Sequence, residues 1–183
     1  MVRTPLVFPN DYFARSDAFS PWKVVGPIIA YWLASVAISM LMRYAIASEW
    51  ANEYGRLLYH TLQSTVLTLL VFTLIAYVIG QAAGGDGEPV DALVLAAWGL
   101  VPALLARSGF LILEFGPVGG SEATPATNIA VVIAAGAIAC IWIGYCWRDG
   151  FRHAFGLERA VATPAAALGV GLCAVWFFWP WLV

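Results

Sequence analysis

Lysine is almost missing from this chain: Lys23 is the single lysine among nine basic residues. Charge of either sign is scarce at 11%, and the formal net charge is −2, so no basic patch exists of the kind nucleic acid requires. A nucleic-acid partner is therefore not expected. Cysteine is limited to Cys140, Cys146 and Cys173, with no C-x-x-C and no histidine at metal-ligand spacing. All three fall in apolar surroundings and read as small packing residues, which leaves no metal site and no disulfide framework. H-E-x-x-H, the P-loop and G-x-G-x-x-G do not occur, so zinc proteolysis and nucleotide handling have no local support and no cofactor is implied. The N-terminus also lacks the charged, apolar, then small-residue pattern of a cleavable signal, which predicts that it stays on the mature protein. The near-absence of lysine beside abundant Ala, Val and Gly points to a GC-rich prokaryotic or halophilic source.

What fills the chain instead is apolar residues: 62% of 183 positions, with mean hydropathy +0.82. That lies far outside the range of soluble proteins, so lipid is the expected solvent. Five hydrophobic segments, at about 24–42, 57–79, 92–113, 126–147 and 160–182, are each near the 20 or so residues that cross a hydrocarbon core. The expected fold is all-α: a polytopic membrane bundle of five transmembrane helices forming a single domain over 1–183. Residues 1–23 form an arm broken by Pro5, Pro9 and Pro21, expected as an extended lead-in with Tyr12, Phe13 and Phe19 at the membrane interface. Arg43, Tyr44 and Trp50 mark the far interface, Gly116 to Pro125 reads as a turn, and Trp176-Phe-Phe-Trp179-Pro-Trp181 ends the chain as an aromatic belt.

The centre of the chain, Gly84 to Leu113, holds most of its unusual residues. Gly84, Gly85 and Gly87 permit positive φ in a tight connection, and Asp86, Glu88 and Asp91 give that connection an acidic character without a basic residue. A solvated turn is the plain reading and a cation nest the sharper one. The third span then carries Pro102, which frees a helix carbonyl, and Arg107 one turn later. Arg107 and Glu114 lie seven apart, on nearly one helical face, and pair across two turns or meet through a third group. Gly136, Cys140 and Gly144 in the fourth span, and Ala165, Gly169 and Cys173 in the fifth, recur at four-residue intervals. Small residues so spaced let membrane helices approach closely, so these two helices are expected to pack through them.

Orientation follows from the arginines. Arg3, Arg15, Lys23, Arg148, Arg152 and Arg159 fall on one side, with the last three crowding the link between the fourth and fifth spans, and only Arg43 and Arg56 on the other. Six against two puts the N-terminus in the cytoplasm and the C-terminus outside an integral, multi-pass cell-membrane protein. Arg107 then lies in the outer third of its helix, where it is expected to snorkel outward.

Ionisable groups inside a membrane are costly and for that reason candidate functional residues. Arg107, Glu114 and His60 are few for a proton relay or transporter. Ser108 in Ala106-Arg-Ser-Gly109 has a superficial likeness to an intramembrane serine hydrolase, with His60 on the same side. It lacks the Gly-x-Ser-Gly frame, and the histidine has no orienting carboxylate beyond Glu53 or Glu114. No catalytic activity is expected.

Four places carry a family likeness. The arm has Pro9-Asn-Asp-Tyr-Phe13. The centre has Gly84-Gly85 followed by Ala96-Ala-Trp-Gly-Leu-Val-Pro102. The fourth span ends near Trp142 in a basic link with Phe155-Gly156-Leu157, and Arg159-Ala-Val-Ala162 leads into the last helix. In this order they resemble the Yip domain family, five-pass membrane proteins named for interacting with Ypt/Rab GTPases, and the resemblance runs over essentially the whole chain. It implies a non-enzymatic membrane protein. Eukaryotic members act in vesicle trafficking and carry a long cytosolic N-terminal region that is not present here, and some prokaryotic members accompany transporters as assembly partners. The expected function is a scaffold or accessory subunit of the prokaryotic type. Such a protein acts through helix–helix contacts in the bilayer, with other membrane proteins or with itself, in membrane organisation, trafficking or transporter assembly. The alternative is a small transporter or channel built on Arg107 and the Pro102 kink.

Overall fold

In a membrane interior the backbone finds no water, so each apolar run must satisfy its own N–H and C=O groups as a helix. The computed structural model describes residues 4–15, 17–46, 54–115 and 125–182, with side chains throughout these except 42–46, 110–115, 125–128 and 177–182. It contains a short helix α1 (Pro9–Phe13), a 3-10 turn (Pro21–Val24), and five long helices: α2 (Val25–Ile46), α3 (Tyr54–Ala82), α4 (Pro89–Phe115), α5 (Pro125–Ala154) and α6 (Arg159–Leu182). There is no strand among the described residues. All five long helices are long and apolar enough to cross a membrane, and the chain is an integral multi-pass membrane protein. Pro9, Pro89 and Pro125 open their helices at the position where a missing N–H costs nothing. Pro102 is buried inside α4, which runs on through it.

Helix α4 is the axis. Its spanning window is 56% buried inside the protein, against 28–33% for the other four, and Ala92, Val94 to Ala97, Leu100 and Ala103 are wholly enclosed. It packs against α2, α3 and α5, while α6 packs against α5 and α3.

Two elements differ from the sequence-based expectation. The arm is not an extended strap at the membrane interface: it folds into α1, burying Tyr12 and Phe13 in the core, with Tyr12 edge-on to Trp98 of α4. Trp142 Nε1 donates to Leu6 O at 2.8 Å and Cys146 Sγ to Pro5 O at 3.3 Å, so backbone carbonyls before α1 are satisfied by α5. Helix α5 does not end at Trp147 but continues to Ala154, taking Arg148, Arg152 and His153 out of the link and onto the helix. The reason is Trp147, Phe151 and Phe155, four residues apart and all buried, which keep that face of α5 in the core for two more turns. Trp50 and the turn at 116–124 lie outside the described residues, and so do the side chains of Arg43, Tyr44, Glu114 and the aromatic belt beyond Trp176.

Candidate functional site

The polar and glycine-rich residues of the chain gather where α3 turns into α4 and α5 into α6. Helix α3 ends in a Schellman motif: Gly84 takes φ 86°, its N–H bonds to Gln81 O, and Gly85 N–H bonds to Gly80 O. The neighbouring glycines serve a different purpose. A Cβ on Gly85 would lie 2.6 Å from Phe155 Cβ, and one on Gly87 2.6 Å from Phe155 Cδ1, while one on Gly80 would run into the same ring. Three glycines therefore form a cradle for one residue, Gly80 and Gly87 for the ring of Phe155 and Gly85 for its Cβ and carbonyl oxygen. Gly156 follows with φ 66°, and Asp86 N–H bonds to Phe155 O at 3.3 Å, which ties the two connections together. The acidic residues are part of this frame: Asp91 Oδ2 accepts from Glu88 N–H at 2.7 Å, closing the start of α4 as a capping box does. No group of three or more His, Cys, Asp or Glu suited to a metal ion occurs among the described residues.

Near the end of α5 stands Asp149, only 3% exposed. Arg148 reaches it with Nε and Nη2, at 3.2 and 3.1 Å, and Arg152 Nη1 lies 3.5 Å from Oδ1. Asn10 of α1 extends the network, with Oδ1 3.4 Å from Arg152 Nη1 and 3.0 Å from His153 Nε2. The arm is pinned through its own charges too, since Asp17 joins Arg15 and Lys23 at 3.3 and 3.1 Å. The hydrogen bond from Lys23 is the main reason the Asp17 carboxyl is held below its ordinary range, and Arg15 adds to it. Burial holds the Tyr12 phenol above its usual value, so it stays neutral in the core.

Arg107 lies eighteen residues past Pro89, roughly 27 Å along α4. It does not point away from the protein: Nη1 donates to Ser64 Oγ on α3 at 3.3 Å, and the guanidinium stands beside Tyr31 of α2. Among the described residues Tyr31 Oη, Ser35 Oγ and Arg107 Nε are buried and find no hydrogen bond of good geometry. The position combines a cation with neutral hydroxyls in the bundle interior.

The family model for the Yip1 domain matches residues 5–178. The chain belongs to the Yip1 domain family. No curated protein and no solved structure matches it. The Yip1 domain thus takes in both features just described, from the proline-rich arm to the end of the last spanning window.

Within this Yip1 domain the other sequence candidates take plain positions. Ser108 Oγ bonds back to Leu104 O at 2.7 Å, and His60 is exposed on α3 with its Nε2 3.4 Å from Arg56 Nε. The two share no described contact. Threonines 61, 65 and 73 likewise bond to carbonyls of their own helix. Of the small residues, Gly136, Ala165, Gly169 and Cys173 are buried and Cys140 and Gly144 half-buried. Gly169 faces an indole, not a helix backbone: a Cβ there would meet Trp147 Cζ3 at 2.8 Å. Between the spans of α4 and α5 a helix backbone does come close, since a Cβ on Gly109 would lie 3.3 Å from Val132 Cα.

Sequence reasoning passed over Asp149 and Trp147. Trp147 is fully buried, edge-on to Phe72 and Phe151, and donates through Nε1 to Leu95 O at 3.0 Å. The signals were present: an acid with arginines at i−1 and i+3 ending an apolar run, and aromatics at i, i+4 and i+8.

Proposed function

We propose that this Yip1-domain protein is a non-enzymatic membrane scaffold or accessory subunit, acting through helix–helix contacts to organise a partner protein or to assemble with itself. The observation that carries the reading is the use of the polar residues. Asn10, Arg148, Asp149 and Arg152 bond together, Asp17 joins Arg15 and Lys23, Asp91 caps α4, and the main-chain N–H of Asp86 reaches Phe155 O, so the polar groups of the arm and both connections are used in holding the fold. Helix α3, by contrast, turns Leu62, Val66, Leu70, Leu74 and Val78 outward along its length, a face suited to lipid or to a partner helix. Gly84 and Gly85 serve the fold in this reading, and Pro102 and the small residues serve as packing residues. The same gathering of Arg15, Lys23, Arg148, Arg152 and Arg159 supports a cytoplasmic N-terminus and an outer C-terminus.

The test is affinity capture of the tagged protein from its own membrane in mild detergent, with an unrelated polytopic protein as control. The expected result is a stoichiometric membrane partner, or a defined homo-oligomer, that Leu70→Arg removes while the protein remains inserted. A lone monomer that turns over lipid or peptide overturns the reading. A phosphatase fused to the C-terminus is expected to be active outside the cell; activity only in an N-terminal fusion reverses the orientation.

One observation favours a second reading, a small transporter or channel. Arg107 is directed into the bundle, toward Ser64 and Tyr31, with buried polar atoms that find no hydrogen bond of good geometry among the described residues. That reading requires flux in liposomes that Arg107→Ala abolishes with insertion intact, whereas the scaffold reading expects no flux from the unaltered protein.

A further inference from the structure

Helices α5 and α6 part on their outward side and leave a groove of about 440 Å³, with Cys140, Gly144 and Ala167 along it, and Tyr145, Arg148 and Thr163 toward one end. Gly144 puts no side chain into it, and the nearest atom to a Cβ built there is Val170 Cγ2, at 3.5 Å. Both walls belong to membrane-spanning segments, so the open side faces hydrocarbon. A groove of this size takes one acyl chain along several residues of both walls.

The end of the groove supplies the selectivity. Arg148 is held in place from two directions, by the two-point contact of Nε and Nη2 with Asp149 and by the ring of Tyr145, whose centroid lies 5.5 Å from Cζ. The contact with Asp149 leaves the other edge of the guanidinium, which has five donors, for another acceptor. One carboxylate answers two arginines, because Arg152 shares Asp149, so the cluster keeps one net positive charge. We propose that this groove binds an anionic phospholipid, one acyl chain lying along Gly144 and Ala167 and the phosphate meeting Arg148. The lipid belongs to the leaflet that touches the arm end of the bundle. A free phosphate would find Arg148 but gain nothing from the apolar groove.

The experiment is native mass spectrometry of the full chain, delipidated in detergent. Phosphatidylglycerol or phosphatidylcholine of identical acyl chains is then added to the unaltered protein, Arg148→Gln and Ala167→Phe. The unaltered protein is expected to retain phosphatidylglycerol over phosphatidylcholine by about fivefold, the scale of one basic residue at a membrane surface. Arg148→Gln is expected to bring that ratio close to one while an adduct persists. Ala167→Phe, on an exposed position and harmless to the core, is expected to remove both adducts. The proposal is overturned if Ala167→Phe leaves the adducts unchanged or if the unaltered protein shows no headgroup preference. It is equally overturned if millimolar inorganic phosphate displaces the lipid, or if Ala167→Phe abolishes a dimer in place of an adduct. Should Arg148→Gln not fold, the Ala167→Phe and phosphate arms still decide.

Discussion

At the arm end of the bundle Trp147, Phe151 and Phe155 stand edge to face, every fourth residue, against Phe72, Leu95 and a cradle of glycines. Well over 20 Å along α4, Arg107 has Ser64 for a bond and Tyr31 and Ser35 for neighbours, with polar atoms that find no hydrogen bond of good geometry among the described residues. Both regions are interior, and both contain arginine. At the arm end a carboxylate answers the arginines and shape complementarity closes the space; around Arg107, among the described residues, hydroxyls answer the charge. A buried charge without a counter-ion is weakly favourable at best, whereas well-fitted aromatics contribute through area and dispersion. Stability should therefore be concentrated at the arm end, and what Arg107 contributes should be something other than stability.

The largest effect that would sharpen this contrast is at Trp147. Trp147→Ala removes a wholly buried indole and its bond to Leu95 O, and the expected loss is about 3–5 kcal/mol. Reversible unfolding in mixed micelles measures it. A loss below about 1 kcal/mol would break the comparison, because the best-packed side chain would then carry little.

The glycine cradle gives the next largest effect. Gly80 faces ring atoms of Phe155 alone, so Gly80→Ala should cost about 1–3 kcal/mol through overpacking. In a Phe155→Leu background the same change should become neutral or favourable, since alanine suits a helix better than glycine. Gly85→Ala should not be rescued, because its Cβ would also meet Phe155 O at 2.8 Å and Gly80 O at 3.0 Å, which are backbone. A double-mutant cycle with no coupling at Gly80 would mean that the ring moves aside freely.

The sequence made the five-helix fold legible because hydropathy over some twenty residues is a local property, and the family likeness was legible because its motifs are short and contiguous. The arm reads locally as interfacial: whether Tyr12 and Phe13 meet lipid or protein depends on Trp98 of α4 and on α5, which packs against α1, and nothing in the local pattern encodes those contacts. The fourth span reads as ending at Trp147 because basic residues follow from Arg148; the buried Phe151 and Phe155, with the pairing of Arg148 and Arg152 to Asp149, carry the helix on to Ala154. Gly84 was legible through its turn chemistry, while the roles of Gly80 and Gly87 required knowing that Phe155 arrives from the far connection. Arg107 stood out by composition, but its inward direction depended on Ser64 and Tyr31 of two other helices.

A smaller effect is expected at Arg107. Arg107→Leu exchanges a poorly answered charge for an apolar side chain, so stability should stay within about 1 kcal/mol of the unaltered protein or rise. Asp149→Leu should lower it by contrast, since two guanidiniums lose their shared carboxylate. The same micelle unfolding compares them. A loss above about 2 kcal/mol for Arg107→Leu would give that arginine a structural role and erase the difference between the two regions.

The smallest expected effect tests whether surface charge adds to the arm's anchoring. Asp17 is exposed and its carboxyl is held below the ordinary value of 3.8, first by the hydrogen bond from Lys23 and then by Arg15. A carboxyl lowered in the folded state stabilises fully above its unfolded value, and the contribution fades as pH falls through the lower, folded value. Asp17→Asn should therefore be slightly less stable than the unaltered protein near neutral pH. The gap should close only in acid, below about pH 4, and should shrink with added salt at any pH, as exposed pairs do. A gap that persists unchanged in acid would locate the effect of Asp17 in backbone geometry instead of charge. The arm would then be held by Tyr12, Phe13, Asn10 and the bonds that α5 gives to Pro5 and Leu6, with no contribution from its surface charge.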